Sequence, residues 1–237
     1  MVEVRRSADR GRTKLGWLTS YHSFSFNQYY DPEHLHFGPL RVLNDDTVMP
    51  GTGFGAHPHD NMEIVTYVLE GALKHQDSLG TSGVIRTGEV QRMTAGTGIV
   101  HSEYNASDVE PVHFLQIWFF PDQRDLTPSY EQKRFTKDQN KNLFLPVASG
   151  QRGLGGVFIH QDVTMYVSSL EASRELTHRL DNERGAYLFV ADGSLRINDT
   201  SVSKGDAAKV YNEQDVSIQA IVNSEVVLFD LLLRPAV

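Results

Sequence analysis

Apolar side chains fall along this chain in short runs, alternating or β-rich, at 63–69, 83–86, 112–120, 164–168, 186–190, 217–222 and 225–232. A repeat of two is the period of a strand, in which neighbouring side chains point to opposite faces. Turn signals separate the runs: Glu70-Gly71, Leu79-Gly80, Thr87-Gly88, Asp192-Gly193 and Lys204-Gly205. Strands this short, at this density of turns, predict a sandwich or barrel rather than alternating βα units. The stretch 121–142 breaks the pattern. It is polar and charged, from Pro121-Asp122-Gln123-Arg124-Asp125-Leu126-Thr127-Pro128 to Lys141-Asn142, and it separates two strand-rich halves. It predicts a linker between two β domains, with room for a short helix.

The halves read as distant copies. In the first, Tyr67-Val68-Leu69-Glu70-Gly71 precedes Thr87-Gly88-Glu89-Val90; in the second, Leu188-Phe189-Val190-Ala191-Asp192-Gly193 precedes Lys204-Gly205-Asp206-Ala207. Strand, acid-glycine turn, strand and glycine-acid turn recur in the same order, which favours duplication.

Composition narrows the classes. The chain has 237 residues, 40% hydrophobic and 22% charged, enough apolar material for a sizeable core. A formal net charge of −8 and no basic stripe argue against nucleic acid as the main partner. With 0 cysteines, thiolate metal sites, disulfides and cysteine nucleophiles are excluded together. The first residues are polar up to Trp17, and no run approaches a membrane span, so the expectation is a cytoplasmic protein with no membrane partner.

The chemistry concentrates in two short pairs. In His57-Pro58-His59 the histidines stand at i and i+2, so on a strand both imidazoles reach one point. The spacing alone is weak evidence, since His34-Leu35-His36 has it with no obvious partners. Downstream, His101-Ser102-Glu103 repeats the spacing after the glycine-rich turn Gly96-Thr97-Gly98. Adjacent strands would then present three nitrogens and one carboxylate, a set suited to Fe(II), Mn(II), Ni(II), Cu(II) or Zn(II). By parity Glu63 could also share the face of His57 and His59, so geometry leaves the carboxylate open. Gln116 lies on a strand that could line the interior. His22 sits among Tyr21, Phe24 and Phe26 and is read as packing. His75 and His113 are read as ordinary half-buried histidines. His160 and His178 have no such partner, so the second half is expected to lack a metal site.

These residues carry a resemblance. His57-x-His59-x3-Glu63 with Gly71 resembles the first cupin motif, and Gly88, Gly96, Gly98, His101 and Asn105 the second. Tyr21 to Phe26, Tyr29-Tyr30-Asp31-Pro32, Leu40 to Asp46, His57 to Glu63 and Ala95 to Asn105 together resemble the pirin family of bicupins over nearly the whole chain, and among them the bacterial members with quercetin 2,3-dioxygenase activity. The resemblance implies an all-β fold of two tandem jelly-roll cupin barrels with few short helices. We expect a metal-binding domain at 1–125, a linker at 126–145 and a degenerate cupin at 146–237 that shapes the first domain's pocket.

It also implies His57, His59, His101 and Glu103 as ligands, with Glu63 and Gln116 behind them. The expected cofactor is one divalent transition ion, Fe(II) first, with Mn, Ni, Cu, Zn or Co as alternatives. The implied reaction is opening of a flavonol such as quercetin by O2 with release of CO, Glu103 taking or sharing the 3-hydroxyl proton as the catalytic base. Eukaryotic pirins are described as metal-dependent partners of transcription factors. The rival expectation is therefore a non-enzymatic, redox-sensing interaction protein, and a third is an oxygen-independent isomerase.

Overall fold

In the computed structural model, which describes residues 1–233, the period-two runs are strands. The last four residues of the expected second domain lie outside the described residues. Numbering strands in chain order, the first half holds a seven-stranded sheet ordered β12 (Ser129–Arg134), β9 (Glu89–Thr94), β6 (Glu63–Glu70), β11 (Val112–Phe119), β4 (Leu40–Val48), β3 (Leu18–His22) and β2 (Gly11–Lys14). Facing it is a four-stranded sheet ordered β5 (Gly53–His59), β10 (Ile99–Asn105), β7 (Ala72–Asp77) and β8 (Ser82–Arg86).

The second half repeats the plan. Its larger sheet runs β1 (Val2–Arg5), β20 (Ala207–Tyr211), β17 (Arg184–Asp192), β22 (Ser224–Leu232), β15 (Val163–Leu170), β13 (Leu145–Ser149) and β14 (Val157–Phe158). Its smaller sheet runs β16 (Glu175–Arg179), β21 (Asp215–Ala220), β18 (Ser194–Ile197) and β19 (Thr200–Ser203). Adding eleven to each label from β4 to β11 gives the matching strand of the second half. The fold is all-β and duplicated, as the turn pattern predicted; the one helical piece among the described residues is a 3-10 turn at Ser7–Asp9.

Two strands depart from the expected domain bounds. The polar stretch read as a linker holds β12, which pairs with β9 from Ser129↔Thr94 to Arg134↔Glu89. It is a border strand, so it needs no continuous apolar face and can carry charge. Conversely β1 pairs with β20, Val2 opposite Val210, and places Val2 and Val4 against the second half's core. Each barrel is therefore closed along one border by a strand from beyond the expected limit.

Each half packs its two sheets over an apolar filling. In the second half Leu188, Leu195, Ile197, Val216, Ile218 and Leu228 belong to that filling. A further cluster joins the halves: Val65, Leu115 and Phe119 of the first meet Met165, Tyr187 and Phe229 of the second. The two larger sheets are thus packed back to back. Burial of so many side chains, at about 25 cal/mol per Å² of apolar surface, makes the contact part of the core rather than a hinge.

Candidate metal centre

The two pairs singled out in the sequence meet on neighbouring strands. β5 borders its sheet and pairs antiparallel with β10, setting His57 opposite His101 and His59 opposite Ile99. A border position is where a strand tolerates Pro58, whose nitrogen has no proton to donate. Between His101 and Glu103 the register slips, so that Glu103 faces Phe54; such a bulge re-aims side chains. β10 is launched from the turn at Gly96. There φ is +48°, and a Cβ would overlap the Leu126 carbonyl, so glycine is required.

The ligand atoms of His57, His59 and His101 lie within 4.8 Å of one another. Their ring centres are 4.4 to 4.9 Å apart. His57 Nδ1 is 2.7 Å from the Gly55 carbonyl oxygen. A carbonyl only accepts, so this nitrogen carries the proton and Nε2 keeps its lone pair. His59 Nε2 and both ring nitrogens of His101 are buried with no hydrogen-bond partner. Leaving such atoms unmatched costs about 1–3 kcal/mol each, which is why an ion among them fits. Burial, reinforced by repulsion from neighbouring histidines, holds His59 down to about 4 and His101 down to about 2. Both rings are therefore neutral at physiological pH, the form that binds metal.

Glu103 is buried beneath this trio, and its ligand atoms group within 4.8 Å with those of His101 and His75. His101 is the residue common to both groups. The Glu103 carboxyl is held by its own shell: Gln116 donates to Oε2 at 2.7 Å, and Gln91 to Oε1 at 3.1 Å. Thr66 donates toward Oε1 at 3.4 Å. Burial pushes Glu103 up to about 7, and these hydrogen bonds offset it only in part. Gln116, expected from its strand to line the interior, meets that carboxylate there.

The centre opens into a cavity of about 340 Å³ lined by His57, His59 and Glu103 together with Trp17, Phe26, Phe54 and Trp118. Leu15 and Leu18 extend the apolar lining, and one side of the wall is polar. His22 Nδ1 is 2.8 Å from Asn44 Oδ1, and Nε2 is 2.9 Å from Thr13 Oγ1. Asp46 is buried there too, pushed up to about 7 first by desolvation and then by Asp45 and Glu103, with Ser20 partly offsetting. His22, read from sequence as packing, is a pocket residue.

Glu63 does something other than expected. Its Oε2 accepts the backbone N–H of His160 at 3.1 Å, across the junction with the second half. The parity argument assumed one continuous strand from His57 to Glu63. Instead β5 stops at His59, Asn61 takes a left-handed φ of +45°, and β6 starts in the other sheet. The second half therefore touches Glu63. His34 and His36 sit in a loop, bonded to Asp31 and the Gly38 carbonyl. His75 was missed: it is fully buried beside His101. The only sequence signal was His75-x-Asp77 on one strand face. Among the described residues no helix is long and apolar enough to cross a membrane.

Comparison with known proteins agrees with this architecture. The family profile described as Pirin matches residues 2–119, and the one described as quercetinase C-terminal cupin domain matches 146–231. A quercetin 2,3-dioxygenase of Escherichia coli strain K12 is 45% identical over 231 residues, 98% of this chain and 99% of that protein. The crystal structure of bacterial pirin YhhW from Escherichia coli in complex with nickel(II) superposes with a TM-score of 0.94 at 43% identity, covering 99% of this chain and 100% of that one. A quercetin 2,3-dioxygenase from Acinetobacter baumannii, at 21% identity and a TM-score of 0.80 over 99% of this chain and 79% of that one, shares the fold.

Proposed function

The chain belongs to the pirin family, and from that premise we propose that it is a metal-dependent dioxygenase that opens the ring of a flavonol such as quercetin with O2 and releases CO. The observation that carries the reading is the convergence of the His57, His59 and His101 ligand atoms, with Glu103 beneath, at the wall of an apolar cavity. His57, His59, His101 and Glu103 would hold one divalent transition ion, Fe(II) first, with Mn, Ni, Cu, Zn or Co as alternatives. When bound, that ion would act as a Lewis acid toward the flavonol 3-hydroxyl and supply the redox chemistry toward O2.

The remaining roles belong to side chains. Glu103 takes or shares the 3-hydroxyl proton, a task suited to a carboxyl that burial has brought near neutrality. Gln116 and Gln91 hold its two oxygens so that the carboxyl stays aimed. Trp17, Phe54 and Trp118 offer flat apolar faces to a fused aromatic ring and keep water out of the cavity. The donor set matters for this reading: three imidazoles and one carboxylate leave open positions on an ion that accepts five or six ligands.

The test uses protein purified without a metal-binding tag and loaded in turn with Fe(II), Mn(II), Ni(II), Cu(II), Zn(II) or Co(II). Quercetin is added under oxygen, and loss of flavonol absorbance is followed together with CO release. Turnover above that of the free ion is expected for at least one metal. No such turnover with any of them rejects the flavonol reading.

A further inference from the structure

Behind the centre, away from the residues that line the cavity, stands a pair that the proposed reaction does not use. On β7, His75 lies opposite Glu103 and Asp77 lies opposite His101. The side chains of both His75 and Asp77 are 0% exposed. His75 Nε2 is 3.1 Å from Asp77 Oδ2, while Asp77 Oδ1 accepts the backbone N–H groups of Leu79 and Thr81 at 2.9 and 3.0 Å. The carboxylate can only accept, so His75 Nε2 carries the proton and Nδ1 is a bare lone pair. That nitrogen is buried and has no partner.

The same account is open at His101. Both its ring nitrogens are buried and unmatched. If one binds an ion, the other must carry the ring proton and needs an acceptor. His75 Nδ1 is an acceptor lacking a donor. Two imidazoles joined by an N–H···N bond of about 3 Å have ring centres a little over 5 Å apart. The His75 and His101 ring centres are 5.4 Å apart, with planes inclined by 50°. That spacing suits such a bond, with His75 held in place by Asp77.

We propose that His75, fixed by Asp77, is a positioning residue that accepts the distal ring N–H of His101 when the centre is loaded, forming an Asp77–His75–His101 relay to the ion. This rests on the metal centre described above. A histidine ligand whose other nitrogen is held by a hydrogen-bonded partner keeps one tautomer and one ring orientation, and a carboxylate at the end of the chain makes it a stronger donor. The relay lies on a strand that contributes nothing to the cavity, so it tunes the ion without meeting substrate.

The experiment compares full-length wild type, His75→Phe, His75→Asn and Asp77→Asn. Zn(II) affinity is measured by chelator competition, and the Fe(III)/Fe(II) midpoint potential by titration of iron-loaded protein. His75→Phe keeps the ring volume and removes the acceptor, so affinity should fall about tenfold to a hundredfold. Asn places a carbonyl oxygen near the lost Nδ1, so His75→Asn should recover most of that affinity. Asp77→Asn keeps an acceptor for Leu79 and Thr81 but removes the charge; the potential should rise, because a less electron-rich His101 stabilises Fe(III) less. Folded His75→Phe with wild-type affinity, or Asp77→Asn with an unchanged potential, overturns the proposal. So does a metal-bound structure with His75 on the ion. Should His75→Phe not fold, the Asp77→Asn potential decides alone. Wild type that binds no divalent ion rejects the centre itself and is told apart from failure of the relay.

Discussion

Across the β5–β10 pair of the first half stand His57, His59 and His101; across the corresponding β16–β21 pair of the second stand Leu176, Val216 and Ile218 with a single histidine, His178, whose Nε2 is taken up by Asp230 at 2.7 Å. Beneath the first lie Thr66, Gln91, Gln116 and Glu103 in one hydrogen-bonded group. In the second half, β17, β20 and β22 (matching β6, β9 and β11) contribute Leu188, Val210 and Leu228. The strand order is the same, so the frame does not decide which barrel can hold an ion. The inward residues do. Aliphatic side chains fill most of the second interior and its His178, Asp230 and Arg184 satisfy one another, whereas polar side chains in the first leave lone pairs that folding alone does not satisfy.

The largest test of this contrast removes one ligand. His101→Ala should abolish metal uptake, whereas Glu63→Ala and His178→Ala should retain it, as measured by elemental analysis of protein purified without a tag. Retained metal in His101→Ala, or loss in Glu63→Ala, would break the assignment.

Next comes pH, where the halves should differ in sign. Asp46 and Glu103 are both raised to about 7, chiefly by burial. Their contribution to the stability of metal-free protein is present below about pH 4 and is lost as pH rises through about 7, with an amplitude on the order of a few kcal/mol. Asp230 in the second half is opposite. Burial alone would raise it, but hydrogen bonds from His178 and Arg184 hold it below the ordinary value. Its contribution is present above about pH 4 and is lost as pH falls through that lowered value. Thermal midpoints of metal-free protein across this range check both signs. Asp46→Asn should flatten the fall toward neutral pH, and Asp230→Asn the fall toward acid; an unaltered profile in either variant refutes that half of the prediction.

The smallest effect concerns the closed interior. Ile218→Val should cost about 0.5–1.5 kcal/mol by removing one buried methylene. Chemical denaturation would register the loss, and metal stoichiometry should stay unchanged, since that filling lies in the other barrel.

Much of this was readable in the sequence. The i, i+2 pairs at 57/59 and 101/103 and the duplicated turns are local, and a strand's period converts local spacing directly into a shared face. What escaped depended on partners distant in sequence. His75 looked ordinary because its significance arises only when β7 pairs with β10. Glu63 was misdirected by a parity count carried through a turn that Asn61 reverses. The charged run holding β12 read as a linker because a border strand has no apolar face to announce it. The polar part of the cavity wall draws Thr13 from β2, Ser20 and His22 from β3, and Asn44 and Asp46 from β4, a grouping that shows only once those strands pair.

The exchange of border strands ties assembly to the order of synthesis. Residues 2–5 are made before the first barrel, yet the backbone groups they satisfy belong to β20, made after it. During translation the leading segment must wait unpaired while the first barrel forms around residues that follow it. Only once β20 has emerged does that segment find its place, so the second barrel's larger sheet is sealed by residues made before the first barrel.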